Sequence, residues 1–527
     1  MSGEGRTLLA IDLGTSGPKV ALFSEDCQTV IGSEVEPTRL ILEPGGGAEQ
    51  DPEDWWRAVC AASRRLLEQH PAQARRIAAV GCTAQWSGTV PVDAEGRAIG
   101  NAVIWMDSRG GKHVKRAFGG FPSVMGYGAG KLLRWIRLTG GVPGHSGKDS
   151  LAHILFLMAE RPDVFARAAK LLEPKDYLNL RLTGKAAASF DSITLHWVTD
   201  NRRADRIDYH PGLLRAMGLD RGKLPDLKRA VDVLGPLTAE AARALGAPEG
   251  AAVVLGTPDV HSAAVGSGAV RDYEPHLYLG TSSWLTCHVP FQKTDAVHNM
   301  ASLPSPIPGR YFIGNEQECA GACLTFLRDN VFFAQDALET AAPAAAYRRF
   351  DELVEQAPPG SRKVIFTPWL YGERTPVEDP TIRGGWHNVS LGTTRGELVR
   401  SVYEGIAFNA RWLLQAVEGF IKKPLRAINV IGGGAKSDVW CQIQADVLGK
   451  PIRQMADPVQ ANARGAAILA AVAMGFGTFE QIAGKVPVAR TFQPVPERRA
   501  LYGELFAEFV RLYKANKAAH ARLNRRA

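Results

Sequence analysis

One layout occurs twice in this chain. Residues 7–13, TLLAIDL, form a short apolar run that ends in Gly14-Thr15-Ser16-Gly17 and resumes over Lys19–Phe23. This reads as a hairpin whose tip is made of small, hydroxyl-bearing residues. Residues 276–289, HLYLGTSSWLTCHV, repeat the order of apolar strand, Gly-Thr-Ser turn and apolar strand. Two copies of one hairpin, one near the start and one just past the midpoint, predict a duplicated fold. A chain of 527 residues also exceeds the size at which a single core keeps growing, so two domains are expected. We place them at 1–255 and 256–527, with a cleft between.

The segments between the hairpins support an α/β class. Asp51-Pro52-Glu53-Asp54 combines an N-cap, a proline that lacks only an unneeded N–H, and two acids favourable to the helix dipole. A helix is predicted from there to about His70, followed by strands at Ile77–Cys82, Thr89–Val92 and Ala102–Trp105. Residues 110–250 are richer in helical patterning and are assigned to an insertion bearing on the first domain. AINVIGGGAKSDVWCQIQADVLGK reads strand, glycine turn, helix, with its ligand-facing turn at the strand's C-terminal end.

Composition narrows the function classes. Hydrophobic residues at 45% and charged residues at 22% are those of a folded soluble protein. No run of about 18 apolar residues occurs, and MSGEGRTLLAIDLG lacks the parts of a secretory signal. A cytoplasmic protein without membrane contact is expected. The seven cysteines are scattered without a CxxC, which predicts buried thiols, no disulfide framework and no metal cage. The net charge of +8 gathers at the end, in RLYKANKAAHARLNRRA; lacking a basic stripe with interleaved aromatics, it reads as a solvated helix or tail, not a nucleic-acid site. The sequence leaves a homodimer open.

In the first turn, Asp12 places a carboxylate at a strand end, where it can hold Mg²⁺ through water, and the following N–H groups and hydroxyls can approach a phosphate. An Asp-x-Gly sequence is equally an ordinary turn. The second copy, Gly280-Thr281-Ser282-Ser283, gives the functional reading its weight, because two facing tips could grip a triphosphate. Gly432-Gly433-Gly434 is not a dinucleotide fingerprint, its glycines being contiguous and no acid ending a following strand, which all but excludes a nicotinamide-dependent oxidoreductase. Gly126–Lys131 imitates a P-loop but has Leu132 where a metal-binding hydroxyl belongs. We read it as a loop leading into a helix.

With these motifs together, the chain resembles the FGGY carbohydrate kinase family, and within it xylulokinases. AIDLGTSGPKV, AEQDPEDWW, AVIWMDSRG, LLEPKDYLNLRLTG, LGTSSW, WLYGERTP and IGGGAKSDVWCQIQADVLGKPI occur in the family's order over nearly the whole chain. The resemblance implies two actin-like, ribonuclease H-like ATPase domains flanking a deep cleft. It implies transfer of the γ-phosphoryl group of ATP, with Mg²⁺, to a hydroxyl of a small ketopentose-like sugar or polyol. By motif, Asp12 would serve the metal, Thr15 and Ser16 the phosphates, and Thr281 the nucleotide phosphates from the other side. Gly321, Gly433 and Ser437 would line the adenosine site, and Asp259, in GTPDVHSA, would be the catalytic base.

The acceptor side departs from the family pattern. Xylulokinases resemble Q-M-H-G where this chain has Gln85-Trp86-Ser87-Gly88, and asparagine follows their base where Val260 stands here. Substrate contacts are nonetheless expected from Gln85, Trp86, Ser87, Asp107, Asp259 and Val260. For Trp86 and Trp105 a core role stands beside a sugar-wall role, for Asp107 a turn role beside a hydroxyl contact; His261 reads as structural. Residues 137–156 read as an insertion that is a lid, an oligomer contact or an inert loop, the last being favoured. The competing class is an ATP-binding switch or scaffold on the same fold, against which Asp259 and the sugar loop count.

Overall fold

The structure is a computed structural model that describes residues 5–336 and 341–524. Thr7–Gly14 (β1) and Gly17–Ser24 (β2) pair antiparallel around the expected tip. Gly17 sits at φ +136, and a Cβ there would lie 2.0 Å from the Glu36 carbonyl oxygen. Only glycine fits this corner. Val30–Val35 (β3), Ile77–Ala84 (β4), Val233–Pro236 (β5) and Ala252–Val254 (β6) complete a six-stranded sheet in the order β5-β6-β4-β1-β2-β3. Leu8, Leu9, Ala10 and Ile11 are all fully buried, because this sheet is covered on both faces. That is why β1 reads as a continuous apolar run and not as an alternation.

The second sheet is built from Pro275–Leu279 (β7), Ser283–Val289 (β8), Thr294–Asp295 (β9), Met300–Pro304 (β10), Tyr311–Gly314 (β11), Ile428–Ile431 (β12), Ile452–Met455 (β13) and Val488–Phe492 (β14). Its order is β9-β10-β11-β8-β7-β12-β13-β14. Laid side by side, β3-β2-β1-β4-β6-β5 and β11-β8-β7-β12-β13-β14 share every strand direction: an antiparallel hairpin, two parallel neighbours and an antiparallel edge. The duplication predicted from two hairpins thus extends through both sheets.

Pro52–Gln69 (α1) covers one face of the first sheet, its N-cap Asp51 accepting from the Glu53 N–H at 2.9 Å. Asp259–Gly266 (α2) and Ala461–Ala473 (α3) cross where the two halves meet, and α3 packs on β1 and β4. Their backbones touch: Cβ atoms on Gly266 and Gly465 would stand 1.8 Å from the Ala461 oxygen and 1.9 Å from the Ser262 oxygen. Any side chain at either glycine would pry the helices, and with them the cleft, apart.

The helical insertion has its own core, with Trp135, Leu138, Leu151, Ile154, Leu157 and Leu213 buried together. Here the reading of 137–156 as a loop is corrected. Ala129–Thr139 is a helix that runs into this stretch, and Ser150–Glu160 is a second helix with Leu151, Ala152, His153 and Ile154 buried. The Gly-rich composition of 140–147 hid the apolar periodicity on either side. All seven cysteines are buried and unpaired. The basic end forms the helix Arg499–Leu523; its last three residues lie outside the described ones. No helix among the described residues is long and apolar enough to cross a membrane.

Candidate active site

Two carboxylates come into one electrostatic field at the meeting of the halves. Asp12 is carried to the end of β1, and Asp259 opens α2 directly after the turn Gly256-Thr257-Pro258. Lys19, two residues beyond the turn on β2, lies 3.8 Å from Asp12 and donates to the Val459 carbonyl at 2.6 Å, so it also bridges the halves. Burial raises the pKa of Asp12 above the usual carboxylate range, opposed by Lys19. For Asp259 burial is again the main cause and lifts the pKa to about 7. The charges of Asp12 and Glu316 add to that rise, while the main-chain N–H groups of Val260, at 2.8 Å, and Trp86 oppose it. A carboxylate that titrates near neutrality is matched to taking a proton from a hydroxyl.

The loop 85–88 is held by a polar network. Gln85 donates to Gln50 Oε1 at 2.7 Å and accepts from the Thr15 hydroxyl at 2.9 Å; Thr15 in turn accepts from Trp105 Nε1 at 2.9 Å. The Thr15 side chain is thereby engaged toward Gln85 and Trp105, and Ser16 is the exposed hydroxyl of the tip. Trp86 donates to the Ser192 carbonyl at 2.9 Å and stands edge-on to His261, ring centroids 4.9 Å apart. His261 is buried against Phe312, and burial lowers its pKa to about 3, so it stays neutral. Ser87, at φ +63, donates its hydroxyl to the Lys148 carbonyl at 2.5 Å. Asp107 is fully buried and accepts from the Arg109 guanidinium at 2.6 Å, the Arg109 N–H at 2.9 Å and the Ala48 N–H at 2.9 Å. Val260 is half-buried beside apolar neighbours.

On the opposite wall, Thr281 is exposed at the tip between β7 and β8. The tip docks on the start of the helix Gly321–Phe326: Gly321 N–H donates to the Gly280 carbonyl at 2.7 Å, and Ala320 and Ala322 donate to the Thr281 carbonyl at 2.9 and 3.1 Å. A Cβ on Gly433 would meet nothing within 4 Å, so this turn residue faces open space. Ser437 caps the helix Asp438–Leu448, accepting from the Trp440 N–H at 3.2 Å and donating to Asp351 at 2.9 Å.

Three site residues escaped the sequence reading: Lys19, Glu316 and Arg374. Arg374, in the GERTP loop, pairs with Glu316 and with Glu318 at 2.8 Å. The neighbouring Glu373 is buried, which raises its pKa to about 7. The available signal was a charged cluster, NEQE and GER, within otherwise apolar and small segments.

The two parts of the chain match the two domain models of one known family. The models of the N-terminal and C-terminal domains of the FGGY family of carbohydrate kinases match residues 7–266 and 277–474. The chain belongs to the FGGY family of carbohydrate kinases. Among curated relatives, this kinase is 29% identical to a xylulose kinase of Escherichia coli K12 over 511 residues, covering 96% of this chain and 98% of that one. A gluconokinase of Bacillus subtilis is 24% identical, with coverage of 96% and 95%. Among solved structures, a gluconate kinase from Lactobacillus acidophilus superposes with a TM-score of 0.85 at 25% identity, over 99% of this chain and all of the other. The actin-like two-domain kinase fold follows from these matches and from the paired sheets.

Proposed function

We propose that this kinase transfers the γ-phosphoryl group of ATP to a hydroxyl of a neutral ketopentose-like sugar or polyol, with Asp259 as general base. The observation that carries this reading is the position of Asp259, at the first turn of α2 where the halves meet, with its pKa moved to about 7. A sugar hydroxyl is a weak nucleophile. Asp259 would accept its proton as the hydroxyl oxygen bonds to the γ-phosphorus and the bond from that phosphorus to the bridging oxygen breaks, releasing ADP. A switch or scaffold has no need of such a base facing an acceptor loop.

The remaining residues would position and neutralise. Ser16, with the Thr15 main chain, and Thr281 would face the phosphates from opposite sides. Gly321, Gly433 and Ser437 would border adenosine, the open space at Gly433 leaving room for it. Asp12 fits a magnesium ion that arrives with the nucleotide: it is a single carboxylate at a strand end beside a small-residue turn, and Mg²⁺ keeps much of its water. Bound there, the ion would supply charge neutralisation at the phosphates. Gln85, Trp86 and Trp105 would border the sugar. Asp107, saturated by Arg109 and Ala48, would support that wall from behind.

A second reading, a xylulokinase proper, is favoured by the xylulose kinase relative; Ser87 and Val260 are the positions at which the acceptor side departs from that pattern. A cytoplasmic enzyme acting on a metabolite suits either reading. An ADP-release assay over ketopentoses, ketotetroses, aldonates, hexoses, glycerol and other polyols, with product regiochemistry by NMR, tests both. Stimulation by a protein alone, with no sugar turned over, would sink the kinase mechanism proposed here.

A further inference from the structure

The turn that carries Asp259 is held by residues of the segment LLEPKDYLNLRLTG and of the chain just beyond it. Residues 255–258 join β6 to α2, and the Leu255 and Gly256 N–H groups donate to the Asp232 and Ala230 carbonyls at 3.1 and 2.9 Å. Lys175 and Asn179 stand four residues apart on the helix Pro174–Thr183, hence on one face of it. Both donate to the Leu255 carbonyl, at 3.0 and 2.7 Å. The Lys175 ammonium also pairs with Asp176. The Thr257 hydroxyl, two residues before Asp259, donates to Asp191. All of these side chains are buried.

The same network reaches the acceptor loop. Asp176 accepts from the Ser192 hydroxyl at 3.1 Å, and the Ser192 carbonyl accepts from Trp86 Nε1 at 2.9 Å. The Trp86 main-chain N–H is in turn among the groups that act on the Asp259 carboxylate. A closed ring results, from Asp259 through Trp86, Ser192, Asp176 and Lys175 to Leu255, and along the chain back to Asp259. Burying an ammonium with carboxylates adds little stability over apolar side chains of equal volume. What interlocked polar partners supply is one permitted geometry, since a shifted turn would leave a buried donor or acceptor unpaired.

We propose that Lys175, Asp176, Asp191 and Thr257 form a positioning device that fixes the turn bearing Asp259 and the Trp86 loop relative to each other, and so aims the carboxylate at the acceptor hydroxyl. These residues act through Asp259 and touch no substrate. The inference rests on Asp259 being the general base, as proposed above. A packing role alone would lower stability whatever residue stands at 259. A positioning role lowers kcat, and that loss disappears once the carboxylate is gone.

The test is a double-mutant cycle in the full-length enzyme with the best substrate of the sugar panel. Thr257→Val keeps the shape of the side chain and removes the hydroxyl. With Asp259 in place it should lower kcat about tenfold or more, as for a reacting group moved by part of an ångström, while KM for sugar and for ATP stay within about twofold. In the Asp259→Asn background the same change should alter the residual kcat by less than about twofold, because the group it acts through is absent. Thr257→Ser, which keeps the hydroxyl, should recover most of the activity. Ser192→Ala breaks the link to Asp176 without adding volume; it should repeat the pattern, and it makes the test if Thr257→Val does not fold. A wild-type kcat in the folded variants, an equal loss in both backgrounds, a loss confined to KM, or no recovery in Thr257→Ser would each overturn this inference alone. Near-normal turnover of Asp259→Asn would overturn it together with the proposed base.

Discussion

The two hairpin tips share the sequence Gly-Thr-Ser and have different surroundings. The first ends in Asp12 and is drawn inward: Asp12 is buried near Lys19, and Thr15 is tied to Gln85 and Trp105. The second has Tyr278 where the first has Asp12, leaves Thr281 exposed, and rests on the start of Gly321–Phe326. One supersecondary unit used twice thus meets two environments, which is the basis for the division of metal and nucleotide proposed above. What each tip packs against, more than its shared Gly-Thr-Ser sequence, sets the two apart.

The sharpest way to break the comparison is to remove the proposed base. Asp259→Asn should lower sugar phosphorylation by at least about 10² while leaving ATP binding in place; near-normal turnover of the purified variant would place the base elsewhere. On the second side, Gly433→Phe should weaken ATP binding about tenfold or more, because a ring would occupy space a ligand needs. As a Cβ there meets nothing within 4 Å, folding should be preserved. An unchanged ATP dissociation constant by calorimetry would remove this turn from the site.

The tips themselves should separate by substrate. Thr15→Val leaves Gln85 and Trp105 short of a partner at a cost of about 1–3 kcal/mol, so the sugar KM should suffer more than the ATP KM. Thr281→Val should do the reverse. Equal effects of both changes on both substrates would mean that the tips share one role.

The smallest effect is one of pH. Because the Asp259 pKa is raised to about 7, its ionised, proton-accepting form is lost as pH falls through that value, and kcat/KM should fall on the acid side with a limb near 7. Glu316 contributes to the rise, so Glu316→Gln should move the limb to lower pH, by less than about one unit for a single screened charge. A limb that stays in place would show that Glu316 does not act on the base.

Much of this architecture could be read from local pattern. The hairpins, the start of α1 at Asp51 and the strand, glycine turn and helix at Ile428–Leu448 all depend on residues within a few positions of one another. The same is true of the turns that carry Asp12 and Asp259. The duplicated sheets followed from the repeat alone, because a hairpin of that kind cannot bury its faces without the rest of its unit.

What the sequence could not decide is which polar groups remain available. Asp107 looks like a sugar ligand until Arg109 and Ala48 are seen to consume its carboxylate. Ser87 and Thr15 turn their hydroxyls to Lys148 and Gln85, partners 61 and 70 residues away. The stretch 137–156 looks like an inert loop until its second helix is found in a core and its turn against the acceptor loop. Sequence spacing determined where the carboxylates and small-residue turns stand on their elements, because helix and strand geometry are local. Hydrogen-bond saturation and desolvation depend on every neighbour in space, so the free hydroxyls and the raised pKa of Asp259 were settled only when the two halves closed on each other.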